Sequence, residues 1–170
     1  KKLLSKEVIL EETITLKNKI DIDLDDLKNN LINIGYINNP QVNFHGQFSI
    51  RGSIFDIYPG GYNSPIRVDL DDINIETIKY FNTDNQMTYG SLIDEEIYIV
   101  PMSNIITKEN NIINFRKKFR EIFEGNPSDN EIYSGISNGL LPQGLNNFFP
   151  LLFENTGSFI DYFSDINNIF

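Results

Sequence analysis

Two arginines lie in neighbouring β-prone runs, and their spacing is the first chemical signal in the chain. The run Phe48-Ser-Ile-Arg-Gly-Ser-Ile-Phe-Asp-Ile-Tyr-Pro59 carries Arg51, and Arg67 opens the run Arg67-Val-Asp-Leu-Asp-Asp72. Gly60-Gly61-Tyr-Asn-Ser-Pro65 between them is dense in turn formers. Phe48 and Ile50 alternate with Ser49 and Arg51, and Ile66, Val68 and Leu70 alternate with Arg67 and Asp69. Alternation of period two puts both guanidinium groups on the face away from the apolar side chains, and predicts them exposed on adjacent antiparallel strands. A planar guanidinium pairs bidentately with carboxylates and stacks on aromatic rings. Two readings follow: the arginines anchor a protein interface, or they form structural ion pairs with Asp56 or Asp69.

Other residues offer less. Asp69, Asp71, Asp72 and Glu76 invite a hard-metal site, but the glycine-bearing twelve-residue calcium loop is absent and Asp72 falls off the face that Asp69 and Asp71 share. A solvated acidic turn fits better, so no metal is expected. His45 is the one histidine, in a loop entering the Phe48 run, where a local hydrogen bond is its usual fate. No nucleophile-elbow pattern and no Gly-x-x-x-x-Gly-Lys-Ser/Thr occurs, so neither a catalytic residue nor an ATP site is expected in this segment.

Composition sets bounds. The chain has 170 residues, 40% of them apolar, enough for one domain or one domain and part of another. It starts at Lys1 and ends on Phe170 with no closing signal, and reads as a fragment. With no cysteine, disulfides and thiolate metal sites are excluded, which fits a reducing cytoplasm. No signal peptide or membrane-length apolar run is visible. Alanine is absent while isoleucine and asparagine abound, a bias that points to an AT-rich genome rather than to folding. A net charge of −10 repels a phosphate backbone, so this segment is not expected to be a main DNA grip.

The elements that must position the arginines follow from periodicity. Ile14 and Leu16 alternate with Thr13, Thr15 and Lys17 as in a half-buried strand. Leu24, Leu27, Leu31 and Ile34 make a helical stripe, with Asp23 to cap it and Gly35 to stop it. Residues 42–100 read as short strands with a turn at Asn82-Thr-Asp-Asn85, closed by Pro101. A helix is predicted from about Lys108 to Phe123, with Ile112, Phe115, Phe119 and Ile122 on one face, ended by Gly125-Asn-Pro127. Phe115, Phe119, Phe148, Phe149 and Phe153 are expected as core between helix and sheet, and Arg116, Lys117, Lys118 and Arg120 as a solvated face. The fold class is α+β, with boundaries giving 1–12 as an incoming segment, 13–100 as the sheet domain and 101–170 as part of a flanking domain.

These motifs, in order, resemble the UvrB-homology module of the transcription-repair coupling factors. The order aromatic-x-x-Arg-Gly-x-hydrophobic-hydrophobic-Asp-hydrophobic-aromatic-Pro, then Arg-hydrophobic-Asp, is similar to that family's arginine-bearing strands. Leu31-Ile-Asn-Ile-Gly-Tyr36 with Gln41-Val, Ile75-Glu-Thr-Ile-Lys79, Phe115-Arg-Lys-Lys-Phe-Arg120, Ile132-Tyr-Ser-Gly-Ile-Ser-Asn-Gly139 and Pro142-Gln-Gly-Leu-Asn-Asn-Phe-Phe-Pro-Leu-Leu-Phe153 continue the likeness, which spans about 24–163. The last of these favours a likeness to the coupling factors over the excision protein UvrB.

The resemblance implies a small, mostly antiparallel sheet domain with a flanking helix, followed by part of a helicase-related α/β domain. It implies a cytoplasmic DNA-repair protein whose module recruits UvrA to stalled RNA polymerase, in transcription-coupled nucleotide excision repair. Arg51 and Arg67 fall where the family's arginines contact UvrA. Asp71 falls where the family commonly has the second of two phenylalanines, which contributes to the same contact. The parent is an ATP-driven DNA translocase using ATP and magnesium outside this segment. RNA polymerase and DNA meet other parts of it, and its C-terminal domain masks the UvrA-binding face at rest. A UvrB-like excision segment and a structural remnant that has lost UvrA binding are the alternatives.

Overall fold

The computed structural model describes residues 2–163, and every statement below is made of those residues. In chain order the elements are β1 (Lys2–Leu3), α1 (Lys6–Glu12), β2 (Ile14–Leu16), α2 (Leu24–Asn33), β3 (Ile37–Asn38), β4 (Gln47–Arg51), β5 (Ile54–Ile57), β6 (Ile66–Asp71), β7 (Asn74–Phe81), β8 (Thr88–Tyr89), β9 (Ile97–Ile99), α3 (Glu109–Ile122), α4 (Glu131–Ser137) and β10 (Gly157–Ser158), with short 3-10 turns after α3. They form two compact units, residues 12–103 and residues 2–11 with 104–163.

In the unit of residues 12–103, six strands pair in the order β3-β4-β5-β6-β7-β8. All neighbours are antiparallel except β3 with β4. A β-bulge in β7 shifts the β6–β7 register between Asp69 and Leu70. β2 pairs separately with β9. Alternation makes one sheet face continuously apolar. Phe48, Phe55, Ile57, Ile66, Val68, Leu70, Ile75 and Ile78 are buried there together with Leu27, Leu31 and Ile34 of α2. The helix therefore covers one face, and Ser49, Arg51, Asp56 and Arg67 fall to the other.

Both ends of α2 are built from the residues that the sequence nominated. The Asp23 carboxylate accepts from the backbone N–H groups of Asp25 and Asp26, at 2.9 and 3.0 Å. At the other end Tyr36 N–H donates to Leu31 O at 2.9 Å and Gly35 N–H to Ile32 O at 3.1 Å, a Schellman stop. Gly35 has φ +96°, and a β-carbon there would lie 2.4 Å from Ser103 Cβ and 2.8 Å from Ser103 N. The backbone N–H groups of Met102 and Ser103 both donate to Ile34 O, which holds the chain after β9 against the helix end.

Tyr36 sits in the core and donates its hydroxyl to Val100 O at 3.0 Å. Burial disfavours the phenolate and pushes its pKa up to about 12 from the usual 10. A group with a raised folded-state pKa stabilises the fold fully below its unfolded value. That contribution is lost as pH climbs through the folded value. The unit should thus lose about 2 kcal/mol between pH 10 and 12 that Tyr36→Phe does not lose. Denaturant titrations of both proteins across that window measure the difference.

The unit of residues 2–11 and 104–163 holds α1, α3, α4 and the 3-10 turns, with β1 and β10 paired antiparallel. Its core joins Leu4, Ile106, Phe115, Phe119, Tyr133, Ile136, Leu145, Phe149, Leu152 and Phe153, with Phe148 packed against it. The expectation of aromatic core between helix and sheet is corrected: this core lies among helices and turns, and its two-residue strand pair is too small to form a layer. Ile122 is exposed rather than on the buried face, because α3 ends with it and Phe123 turns into extended backbone. The basic cluster of α3 is not simply solvated. Arg116 Nε donates to Ser137 Oγ at 3.1 Å and its Nη2 to Ser137 O, Lys118 reaches the carbonyls of Phe153 and Glu154, and Arg120 stands over the Tyr133 ring. Arg116 and Lys118 thereby satisfy carbonyl groups at the end of α4 and in the segment after the 3-10 turn at Phe149–Leu151. α1, where alternation gave only the β2 strand beyond it, was not anticipated.

Candidate protein-interaction face

The sheet face opposite α2 is organised by cross-strand register. One row reads Ser49, Asp56, Arg67 and Lys79 across β4, β5, β6 and β7, and the next reads Arg51, Ile54, Asp69 and Thr77. Arg51 and Arg67 are not on adjacent strands, as alternation had suggested: β5 runs between them and brings Asp56 to the middle.

Asp56 accepts from both arginines. Arg67 clamps it with Nε and Nη2 at 2.7 and 2.8 Å, and Arg51 Nη2 meets Oδ2 at 2.5 Å. The carboxylate side chain is 1% exposed, that of Arg67 15% and that of Arg51 44%. So the two readings of the arginines divide. Arg67 is mostly a structural ion pair: it also donates to Gln86 O at 3.0 Å and lies over the buried Phe81 ring at 4.8 Å. Its hydrogen bonds to Asp56 hold its pKa above the ordinary guanidinium value. A charge this enclosed is tolerable because several charge-assisted bonds replace its water.

Arg51 remains open to solvent while its head is fixed. Nη1 donates to Pro40 O at 2.9 Å, beside Ser49 Oγ on the same carbonyl at 3.2 Å, and Nη2 is held by Asp56. Nearly half of the side chain stays exposed. A side chain ordered before binding loses less entropy on contact than a free one.

Asp71 ends β6, exposed, two residues past Asp69 and on the same side by alternation. It faces Asn74 across a two-residue turn in which Asp72 takes the left-handed conformation, φ +56°. Asp69 accepts from Thr77 Oγ1 at 2.8 Å. The four carboxylates do not converge, and no metal-binding cluster is found among the described residues. His45 forms a hydrogen bond with Tyr62 O at 2.9 Å, 17 residues along the chain rather than locally, and its ring lies tilted against Tyr58 with centroids 3.9 Å apart. No described helix is long and apolar enough to cross a membrane.

Residues 14–104 match the family described as UvrB interaction domain. Over 141 residues the chain is 31% identical to the transcription-repair-coupling factor of Escherichia coli (strain K12), covering 83% of this chain and 12% of that protein. The corresponding factor of Haemophilus influenzae is 33% identical over 155 residues, 90% of this chain and 13% of its own length. That of Rickettsia typhi is 30% identical over 164 residues, 96% and 14%. The chain therefore spans only about an eighth of the relatives it matches. With the domain match covering the unit that holds the arginine face, and the similarity to coupling factors continuing through most of the rest, the chain belongs to the UvrB interaction domain family.

Proposed function

We propose that this chain is the UvrA-recruiting segment of a transcription-repair coupling factor. In this reading it is a binding module without catalytic residues or a cofactor of its own. ATP and magnesium, DNA and RNA polymerase meet other parts of the parent, and the parent's C-terminal domain masks the face at rest. Arg51 carries the contact, Arg67 holds the Asp56 carboxylate that fixes it, and Asp71 sits at the margin. The observation that carries the reading is Arg51 itself, exposed yet held by Asp56 and Pro40 within residues 14–104, the part of the chain that matches the UvrB interaction domain. Recruitment then works by position: once the parent has displaced a stalled polymerase, the ordered Arg51 guanidinium is presented to an acidic or carbonyl-rich surface of UvrA.

Immobilised chain should retain UvrA from the same source. Asp71→Phe should tighten binding about fivefold or more, because an apolar ring gains on leaving water while a carboxylate without a partner loses. If Asp71→Phe weakens binding, UvrA carries a matching cation for Asp71. If neither protein retains UvrA, the chain is a structural remnant.

A further inference from the structure

Lys79 stands directly across from Arg67 in the β6–β7 register. Like charges opposed on one sheet face cost stability. Arg67 is satisfied from its other side, where its cross-strand neighbour is Asp56. Lys79 is not. It is partly buried, and it makes no ion pair or side-chain hydrogen bond among the described residues. Asp69, in the next row of the same face, is taken up by the Thr77 hydroxyl. A partly buried lysine opposite a second cation, with no ion pair of its own, is a locally unfavourable choice, and such choices mark functional positions.

We propose that Lys79 is a further binding residue of this face and takes a carboxylate of the partner protein. The proposal rests on the UvrA reading and extends it. Asp56 is enclosed, so the cations an approaching surface meets are Arg51 and Lys79, in adjacent rows on either side of β5 and β6. Arg51, Arg67 and Lys79 are balanced on this face by Asp56, Asp69 and Asp71, so it suits a single carboxylate at Lys79 rather than an extended anionic surface. Arg51 supplies a planar fork and Lys79 a point charge, so the partner needs one carboxylate at Lys79 and no fixed geometry there. A phosphate backbone fits less well, because Asp69 and Asp71 lie on the same side of β6.

Titration calorimetry of the whole chain against UvrA from the same source tests this, with wild type, Arg51→Ala, Lys79→Ala and Lys79→Glu compared. Lys79→Ala should weaken binding about threefold to tenfold and Lys79→Glu more than tenfold. Denaturation of Lys79→Ala should show stability equal to or above wild type, since removing the ammonium relieves repulsion. The proposal is overturned if Lys79→Glu binds as wild type while Arg51→Ala is weakened; in that case the UvrA reading stands alone. It is also overturned if Lys79→Ala loses stability, which makes the lysine structural. A third overturning result is retention of duplex DNA at physiological salt by wild type, abolished by Lys79→Glu. If wild type binds no UvrA, both readings fall together.

Discussion

Asp56→Ala is expected to lower the stability of the unit of residues 12–103 by about 3–5 kcal/mol, the cost of removing one partner from a buried ion pair. The carboxylate is enclosed and takes three charge-assisted bonds from two arginines. Its removal strands Arg67, which is only 15% exposed and cannot swing to water without leaving Phe81 and Gln86. Arg51, at 44% exposure, can resolvate, so the penalty falls mainly on Arg67. Asp56→Asn keeps one acceptor and the volume and should lie between alanine and wild type. Denaturant unfolding followed by circular dichroism reads all three. A loss below about 1 kcal/mol for alanine would mean that water reaches this carboxylate in solution and that Arg67 is not held by it.

Gly35→Ala should cost about 2–4 kcal/mol. Part is the left-handed conformation, roughly 1 kcal/mol for a residue with a β-carbon. The larger part is steric. The added carbon meets the backbone nitrogen and Cβ of Ser103, well inside contact distance, and that segment is tied to Ile34 O by two hydrogen bonds. Relief requires the chain after β9 to lift off the end of α2. A thermal or denaturant midpoint unchanged by the substitution would show that this segment does not pack there in solution. Gly52→Ala is the control: its φ is +59°, but nothing lies within 4 Å, so only the conformational part should appear.

These two positions differ in how far the sequence reveals them. Around α2 every local signal agrees: the Leu24, Leu27, Leu31 and Ile34 stripe, the Asp23 cap and the Gly35 stop name the same helix. Its close approach to Ser103 is a tertiary fact with no local signature. Alternation likewise reveals which face Arg51 and Arg67 take. It does not reveal strand order, and placing β5 between their strands is what turns two arginines into one cluster around Asp56. The sequence named Asp56 and Asp69 as equal candidates for an ion pair; register decides, because Asp56 lies opposite Arg67 whereas Asp69 lies opposite Thr77. Lys79 was invisible for the same reason. The α3–α4 region was harder. Its 3-10 turns are too short to show a period, and its basic residues read as solvent-facing until the carbonyl groups they bond are located in space.

In the proposed recruitment, Arg51, exposed and held in place before contact, presents this face to UvrA. The most direct test is calorimetric titration of the wild-type chain and Arg51→Ala into UvrA from the same source. Arg51 is the arginine whose loss should leave the fold intact. Saturable binding by wild type, weakened by about 2 kcal/mol in the variant with its unfolding midpoint preserved, is the predicted result. Equal binding by the two folded proteins, or none by wild type, would contradict it.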